Sequence, residues 1–418
     1  NIYESLLHGE KGYKEVEVDV SGRELQTLRK LPPESGNNLV LTLDVRVQEE
    51  LEKIMAGTAE QRVNGSVVVM KVQTGEIIAI TSKPSFNPNL FAAGISSENW
   101  RTLVSDEWHP LQNRSIHGQY PPGSTYKMVT ALAGLEEGVI KPDTTIYCPG
   151  HFKLGRGRYR CWKKSGHGSM NLHDALVQSC DVYFYTIGHR LGIDTIAKYA
   201  KRFGLGSSTR LGLSREKRGL IPTTQWKLLN KKEPWQLGET ISASIGQGYN
   251  LVTPIQQVIM MAAMANGGTL LKPYLVKRIE GPDGQVQKEF FPEITGQVGV
   301  KPEYLEQVRM AMRGVVNEPR GTGKKSRMKN IIVSGKTGTA QVVRMKSNEE
   351  LEKGEAIPFK YQDHAWFVAF APYEKPEIAV AIIVEHGGHG GATAGPIAGK
   401  LFKKYFKLYP PAPVVETF

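Results

Sequence analysis

The chain has 418 residues, of which 40% are hydrophobic and 22% are charged, and its formal net charge is +12. These proportions are typical of a globular protein with a large core, and they exclude an intrinsically disordered chain. The longest apolar runs, such as 258–265 and 378–384, are much shorter than the ~18 residues of a membrane-spanning helix, and no nucleic-acid-binding motif accompanies the positive charge.

The first 36 residues predict a small strand-rich segment. Valines alternate with other residues from 16 to 20, and a Ser-Gly pair then turns the chain, which is the pattern of a β-hairpin in a half-buried sheet. A stretch rich in proline and glycine at 32–36 ends this segment. We therefore expect an N-terminal unit over 1–36, a main domain over 37–410 and a short tail over 411–418.

The main domain is predicted to carry strands at both ends and helices in the middle. The expected strands, in chain order, are 39–43, 67–72, 77–81, 331–334, 366–371 and 378–384. The region 124–318 is mostly helical, and Thr253-Pro254 begins a helix that is apolar on every side. A last helix is expected near 396–406. This order predicts an α+β fold in which distant segments share one sheet.

Three short motifs follow one another and together supply the groups that a serine acyl-transfer enzyme needs. They are Ser124-Thr125-Tyr126-Lys127, Ser179-Cys180-Asp181 and Lys336-Thr337-Gly338. The first opens an apolar-periodic run, which predicts a buried helix with the serine in its first turn. Residues three apart share one face of a helix, so we expect the Lys127 amine to reach the Ser124 hydroxyl.

Each motif alone has an ordinary structural explanation, such as an N-capping serine or a turn at the end of a strand. The Ser-x-x-Lys pattern also occurs at Ser214 and Ser326, where it lies in charged loop sequence. It is the occurrence of all three motifs in one order that favours catalysis.

In this order the motifs resemble those of the penicillin-binding proteins. The stretches 244–248 and 253–256 are similar to the monofunctional class B transpeptidases, and 161–168 is similar to their cell-elongation branch. The resemblance implies a penicillin-recognising fold, with an antiparallel sheet built from N- and C-terminal segments and helices on both sides. The residues before 37 would then be the end of a non-catalytic domain of the pedestal or dimerisation type.

The resemblance also implies an activity and a setting. The activity is that of a peptidoglycan D,D-transpeptidase of cell elongation, which β-lactams acylate. The implied location is the periplasmic face of the bacterial inner membrane, with an N-terminal anchor that this chain does not include. The implied partners are peptidoglycan stem peptides, a membrane glycosyltransferase of the RodA type and elongation scaffold proteins, and nucleic acid is not among them.

The first two motifs receive catalytic roles from this resemblance. Ser124 is the expected nucleophile, neutral Lys127 its base, and Ser179 the relay that gives a proton to the leaving amine. Asp181 stands where the superfamily usually has asparagine. An ionised carboxylate accepts hydrogen bonds but does not donate them, so we expect Asp181 to hold nearby cations.

The third motif is expected to bind the substrate. Lys336 and the hydroxyls of Thr337 and Thr339 would hold its carboxylate, and Gly338 would leave room beside the strand. The backbone N–H groups of Ser124 and Thr339 are the expected oxyanion hole.

Other uses of the same acyl-enzyme remain open. A serine β-lactamase or a D,D-carboxypeptidase would pass the acyl group to water. A class A β-lactamase would need a deacylating glutamate, and no glutamate between the second and third motifs has an asparagine four residues on. A penicillin sensor would be acylated and would signal without turnover.

All three cysteines, Cys148, Cys161 and Cys180, fall within 33 residues, and His167 lies among them. From the spacing alone, this set is a closed Cys3His zinc site, a disulfide with one free thiol, or three unrelated buried cysteines. The resemblance favours zinc, because some members of the elongation branch carry zinc in this loop. We therefore expect one structural Zn²⁺, while the acyl transfer itself needs no cofactor.

Overall fold

The computed structural model describes residues 2–57, 63–342 and 358–411. Its helices, in chain order, are α1 (Glu4–Leu7), α2 (Val45–Met55), α3 (Ser97–Ser105), α4 (Arg114–His117), α5 (Lys127–Glu136), α6 (Leu172–Val177), α7 (Asp181–Leu191), α8 (Ile193–Arg202), α9 (Thr224–Lys231), α10 (Leu237–Ala243), α11 (Pro254–Ala265), α12 (Pro302–Asn317) and α13 (Gly390–Leu408).

The strands, in chain order, are β1 (Tyr13–Val18), β2 (Glu24–Leu31), β3 (Asn38–Leu41), β4 (Gly65–Lys71), β5 (Ile77–Lys83), β6 (Ile146–Cys148), β7 (His151–Leu154), β8 (Gly157–Arg160), β9 (Gly168–Met170), β10 (Thr269–Leu271), β11 (Val276–Glu280), β12 (Val286–Glu289), β13 (Ile294–Gln297), β14 (Ser334–Ala340), β15 (His364–Ala371) and β16 (Ile378–Val384).

Five strands form the central antiparallel sheet, in the order β14-β15-β16-β4-β5. The two ends of the chain meet inside this sheet, where Val380 of β16 pairs with Val69 of β4. Every residue of β16 is buried, because helices cover both faces of the sheet. The predicted α+β fold, with one antiparallel sheet built from distant segments, is confirmed.

Alternation along each strand sends successive side chains to opposite faces. In β15, Trp366 and Val368 join the core that contains α11, whereas Phe367 joins the core that contains α2 and α13. The helix α11 begins as predicted, with the Thr253 side chain accepting the Gln256 N–H, and all of its residues are buried. The sheet is therefore the middle layer of a three-layer domain.

Three features of the main domain differ from the sequence prediction. The strand expected at 331–334 is β14, which begins only at Ser334, where its pairing with β15 starts. The helix α13 begins at Gly390 and contains Pro396 in its second turn, so this proline does not mark the first helical turn, where proline is most often found. The region predicted as mostly helical also contains two short two-stranded sheets, β6–β9 and β7–β8.

The hairpin expected near the N-terminus is β1 paired with β2. Its side chains are mostly exposed rather than half-buried, because among the described residues these two strands form a sheet of their own. The boundary after residue 36 stays a prediction, and residues 412–418 of the predicted tail lie outside the described residues. Within the described part of the chain, no helix is both long and apolar enough to cross a bilayer.

Candidate active site

Ser124 lies in a 3₁₀ turn, Gly123–Tyr126, that runs directly into α5. The helix is buried from Lys127 to Leu135, so the core anchors it, and the Ser124 side chain remains half-buried at its start. The predicted helix is present, with a first turn of the tighter 3₁₀ type. The N-terminal end of α5 therefore points its free N–H groups toward the region around Ser124.

A buried hydrogen-bond network joins the three motifs. Lys127 Nζ donates to Asp181 Oδ1 at 2.7 Å and to the carbonyl oxygen of Ser179 at 2.9 Å, rather than to the Ser124 hydroxyl. Lys336 Nζ donates to the Ser179 hydroxyl at 2.9 Å, and Lys127 Nζ lies 3.2 Å from the same oxygen. The Ser179 hydroxyl thus lies between two lysine amines, which suits a group that relays protons.

The charges of this network are unbalanced, because one carboxyl group faces two fully buried amines. Burial lowers the pKa of Lys336 well below its ordinary range, and the charge of Lys127 lowers it further. Burial raises the pKa of Asp181, while Lys127 opposes that shift. Desolvation penalises every charged form here, so the site favours fewer than three charges at once. A network with one uncharged lysine amine, which a general base requires, is compatible with this limit on the number of charges.

Strand β14 passes beside the turn that holds Ser124. A Cβ atom on Gly123, whose φ is +56°, would lie only 2.4 Å from the carbonyl oxygen of Thr339. Gln247 Nε2 donates to the same Thr339 oxygen at 2.9 Å. A Cβ on Gly338 would lie 2.9 Å from the Trp366 side chain, so this position also has no room for one. The backbone of Thr339 therefore packs directly against the turn that holds Ser124.

Ser179 occupies a strained backbone position between α6 and α7. Its φ of +55° is unusual for a residue with a Cβ atom and costs about 1–3 kcal/mol. The Trp162 indole N–H donates to the Ser179 carbonyl oxygen at 3.0 Å, and the Trp162 backbone N–H donates to Asp181 Oδ2 at 2.8 Å. Trp162 therefore supports both ends of the second motif.

Three residues of the site were not identified from the sequence. Thr322 Oγ1 lies 2.7 Å from Thr337 Oγ1, and nothing in its local sequence marks it. Gln247 lies in the stretch 244–248 that carried the resemblance, although no role was assigned to it. Trp162 directly follows Cys161, so its position in the cysteine loop was the available signal.

The cysteine cluster adjoins the second motif. One ligand atom from each of Cys148, Cys161, His167 and Cys180 can be chosen so that all four lie within 4.8 Å of one another. His167 Nδ1 is 3.6 Å from the Cys148 sulfur and 3.4 Å from the Cys161 sulfur. All three cysteines are free, so the structure does not contain the disulfide that the spacing left open.

The donor set of the cluster suits zinc, which prefers four tetrahedral sulfur and nitrogen ligands. The hydrogen bond from the Cys180 thiol lowers the pKa of Cys161 and raises that of Cys180. A thiolate, which is the metal-binding form, is therefore favoured at Cys161. Nδ1 is the His167 nitrogen that faces the sulfurs, whereas Nε2 is buried without a hydrogen-bond partner among the described residues.

Residues 65–406 match the penicillin binding protein transpeptidase domain, and residues 1–41 match the penicillin-binding protein dimerisation domain. The peptidoglycan D,D-transpeptidase MrdA of Haemophilus influenzae is 38% identical over 100% of the chain. The chain spans about three fifths of the length of the curated relatives it matches, 63% in this case.

Solved structures give the same result. Penicillin-binding protein 2 of Pseudomonas aeruginosa, solved in complex with WCK 5153, is 36% identical with a TM-score of 0.81, and the match covers 97% of this chain and 80% of that protein. Penicillin-binding protein 2 of Helicobacter pylori, solved in complex with MreC, is 34% identical with a TM-score of 0.83, over 98% and 71%. The predicted resemblance is confirmed: the chain belongs to the penicillin-binding protein transpeptidase family, in its penicillin-binding protein 2 branch.

Proposed function

We propose that the protein is a peptidoglycan D,D-transpeptidase that cross-links stem peptides through an acyl-enzyme on Ser124. The observation that carries this proposal is the buried network of Lys127, Ser179 and Lys336 beside the turn that holds Ser124. It places two lysine amines, for the base and the substrate anchor, and a hydroxyl that can relay a proton beside one serine. The name of the Haemophilus influenzae relative, a peptidoglycan D,D-transpeptidase, supports the same activity.

In the first half-reaction, the Ser124 oxygen attacks the carbonyl carbon between two terminal D-alanines of a stem peptide. Neutral Lys127 takes the hydroxyl proton as the new C–O bond forms. The C–N bond to the terminal D-alanine then breaks, and Ser179 passes a proton to the departing amine. Since the Ser179 hydroxyl contacts both lysine amines, that proton can be replaced from either of them.

The other groups hold the substrate and its developing charge. The backbone N–H groups of Ser124 and Thr339 donate to the oxyanion. Lys336 and the hydroxyls of Thr337 and Thr339 bind the terminal carboxylate. Thr322 supports this role, because it fixes the Thr337 hydroxyl by a hydrogen bond.

In the second half-reaction, an amine from a neighbouring stem peptide attacks the ester carbonyl carbon. The new amide C–N bond forms, the ester C–O bond breaks, and the amine proton returns to the Ser124 oxygen through the same base. A β-lactam enters the first half-reaction in the same way. Its broken C–N bond lies in a ring, so the leaving amine stays attached and blocks the second step.

The nucleophile is tested by intact mass after exposure to benzylpenicillin. We expect one adduct per chain, located to the peptide that contains Ser124, and no adduct in Ser124→Ala. The matched control is Ser214→Ala, because Ser214 is an exposed serine in a second Ser-x-x-Lys sequence and should leave labelling intact. Labelling that persists in Ser124→Ala would contradict the proposal.

The class of acyl acceptor is tested with a stem pentapeptide and a labelled D-amino acid. A transpeptidase exchanges the terminal D-alanine for the labelled amine faster than it hydrolyses the peptide. Hydrolysis without exchange would instead indicate a carboxypeptidase, and rapid nitrocefin turnover a β-lactamase. A penicillin adduct with neither exchange nor hydrolysis would indicate a sensor.

We also infer that Cys148, Cys161, His167 and Cys180 hold a structural Zn²⁺. The support is the compact set of three sulfurs and one imidazole nitrogen, in which no disulfide forms. The metal would fix the loop that carries Cys180, next to Ser179 and Asp181, and the acyl transfer would not pass through it.

Elemental analysis of protein purified without chelators should find about one zinc per chain. We expect Cys161→Ser and His167→Ala to lose the metal and to unfold at a lower temperature, because metal binding is coupled to folding. Metal-free protein with a disulfide between Cys148 and Cys161, mapped by peptide mass, would contradict the zinc site and leave the transpeptidase proposal standing.

Membership of the family supports a cellular setting for the protein. We propose that the protein acts at the periplasmic face of the bacterial inner membrane, held by an N-terminal anchor, beside a glycosyltransferase of the RodA type and elongation scaffold proteins. The complex of the Helicobacter pylori relative with MreC supports a scaffold partner. Pull-down of MreC from the same organism by the full-length protein is the test, and no binding would contradict this part of the proposal.

A further inference from the structure

A groove of about 710 Å³ lies between α13 and the segment 325–331. None of the residues that line it belongs to the three catalytic motifs or to the cysteine cluster. We call it the α13 groove. It is independent of the proposed acyl transfer.

The rim of the α13 groove is strongly basic. Six exposed cationic side chains line it: Lys325, Arg327, Lys329, Lys400, Lys403 and Lys407. Among the residues that the structure describes, no acidic side chain lines the groove, and none of the six cations makes an ion pair. By contrast, the neighbouring Lys404 is paired with Glu50 at 3.3 Å. The charge of the rim is therefore left without a partner within the described chain.

The floor of the groove is apolar. Met328, Ile331, Pro396 and Phe406 contribute to its lining, and Phe406 is almost fully buried. A Cβ on Gly399 would lie 3.1 Å from the carbonyl oxygen of Lys325, so this glycine lets α13 approach the opposite wall closely. The result is an apolar channel with cations on both sides.

An ordinary solvated face explains exposed lysines on a helix but not an apolar floor between them. A flat bilayer would meet the lysine tips without filling the concave floor, and a free phosphate would leave that floor empty. A peptide segment fills both parts, because its carboxylates pair with the rim while its apolar side chains enter the channel. We propose that the α13 groove binds an acidic amphipathic segment of a partner protein.

Binding is tested with a fluorescein-labelled helical peptide of leucine and glutamate, arranged with one apolar and one acidic face, measured by fluorescence anisotropy. We expect saturable binding that weakens about tenfold or more in Lys400→Glu/Lys403→Glu. The matched control is Lys277→Glu/Lys288→Glu, which changes the net charge equally at exposed positions of β11 and β12 and should leave binding unchanged.

The floor is tested with Met328→Ser, which should weaken the amphipathic peptide several-fold but not a polyglutamate peptide of equal charge. Unchanged β-lactam acylation in all variants shows that the proteins are folded. The proposal is overturned if polyglutamate binds as tightly as the amphipathic peptide, or if both double variants behave alike. It is also overturned if vesicles of phosphatidylglycerol, and not the peptide, bind in a manner lost in Lys400→Glu/Lys403→Glu.

Discussion

Replacing Trp162 by phenylalanine tests whether the cysteine loop positions the proposed catalytic residues Ser179 and Asp181. The indole N–H donates to the carbonyl oxygens of Gln178, at 3.1 Å, and Ser179, at 3.0 Å. Phenylalanine removes this donor but keeps an aromatic ring against His167, whose ring centre lies 5.3 Å away. The backbone N–H of Trp162, which bonds Asp181, is also kept.

The size of the effect follows from the contacts that remain. A neutral hydrogen bond contributes about 1 kcal/mol, and one N–H shared between two oxygens counts for less than two full bonds. The Ser179 oxygen also keeps its bond from Lys127, at 2.9 Å. We therefore expect a loss of about 1–1.4 kcal/mol. If this loss falls on the transition state, acylation slows about five- to tenfold.

The assay is the second-order rate constant for acylation by a fluorescent penicillin, together with thermal unfolding. Trp162 is 59% exposed, so the folded state should lose little stability and the rate should change more than the unfolding temperature. Trp100→Phe is the matched control, because Trp100 is 48% exposed on α3. Equal acylation by Trp162→Phe and the unmodified protein would refute a positioning role, as would an equal slowing in Trp100→Phe.

Two further substitutions test the packing beside Ser124 and the pH dependence of stability. Gly123→Ala places a Cβ 2.4 Å from the Thr339 oxygen and should reduce the acylation rate about 100-fold or more. The control is Gly138→Ala, which also has a positive φ, +68°, but open space around it, and it should be acylated at the normal rate. Equal acylation rates in the two variants would contradict the close packing at Gly123. Burial lowers the pKa of His364 to about 4, and its Nδ1 accepts the His386 N–H. Since the unfolded chain binds more protons between pH 4 and 6.5, acidification from pH 7 to 5 should cost about 2 kcal/mol of unfolding free energy. His364→Asn should lose most of this dependence in urea titrations at the two pH values, and an unchanged slope would show that other groups cause it.

The predictable parts of the structure are those that local patterns determine. Thr253 and Pro254 correctly predicted the start of α11, and its uniformly apolar sequence correctly predicted a buried helix. Both predictions succeed because the signals lie in the local sequence. Val67 to Val72 was correctly assigned to a strand for the same reason, although the strand ends at Lys71. Burial on both faces makes such segments apolar throughout.

The β14 strand shows where local patterns are insufficient. Its sequence from Ser334 to Ala340 contains two glycines and no large apolar side chain, so its own propensity for a strand is low. It is a strand because it pairs with β15 over its whole length. Its partner β15 is distant in the sequence, so local patterns do not reveal the pairing. The apolar residues Ile331 and Ile332 predicted a strand just before β14 instead.

The candidate site also has one part that the local sequence predicts and one part that depends on the tertiary fold. Ser124 and Lys127 lie three residues apart, so their common position where the 3₁₀ turn meets α5 follows from the local sequence. The bonds of the Lys127 amine to Asp181 and Ser179, instead of Ser124, depend on the tertiary fold. The link between Trp162 and Ser179 depends on how the loop after β8 folds back onto the start of α7, and no local pattern encodes it.

The same loop explains how Ser179, the proposed relay, can keep a strained backbone. Ser179 has φ +55°, and a backbone of this kind persists only where its surroundings determine it. Here Lys127 and Trp162 both donate to its carbonyl oxygen, and Cys180, in the cysteine cluster, is the next residue. The strain turns the Ser179 hydroxyl between the two lysine amines while its carbonyl faces the cysteine loop. The cysteine loop and the second motif therefore share direct hydrogen bonds, and for this reason we expect substitutions in the loop to change the acylation rate.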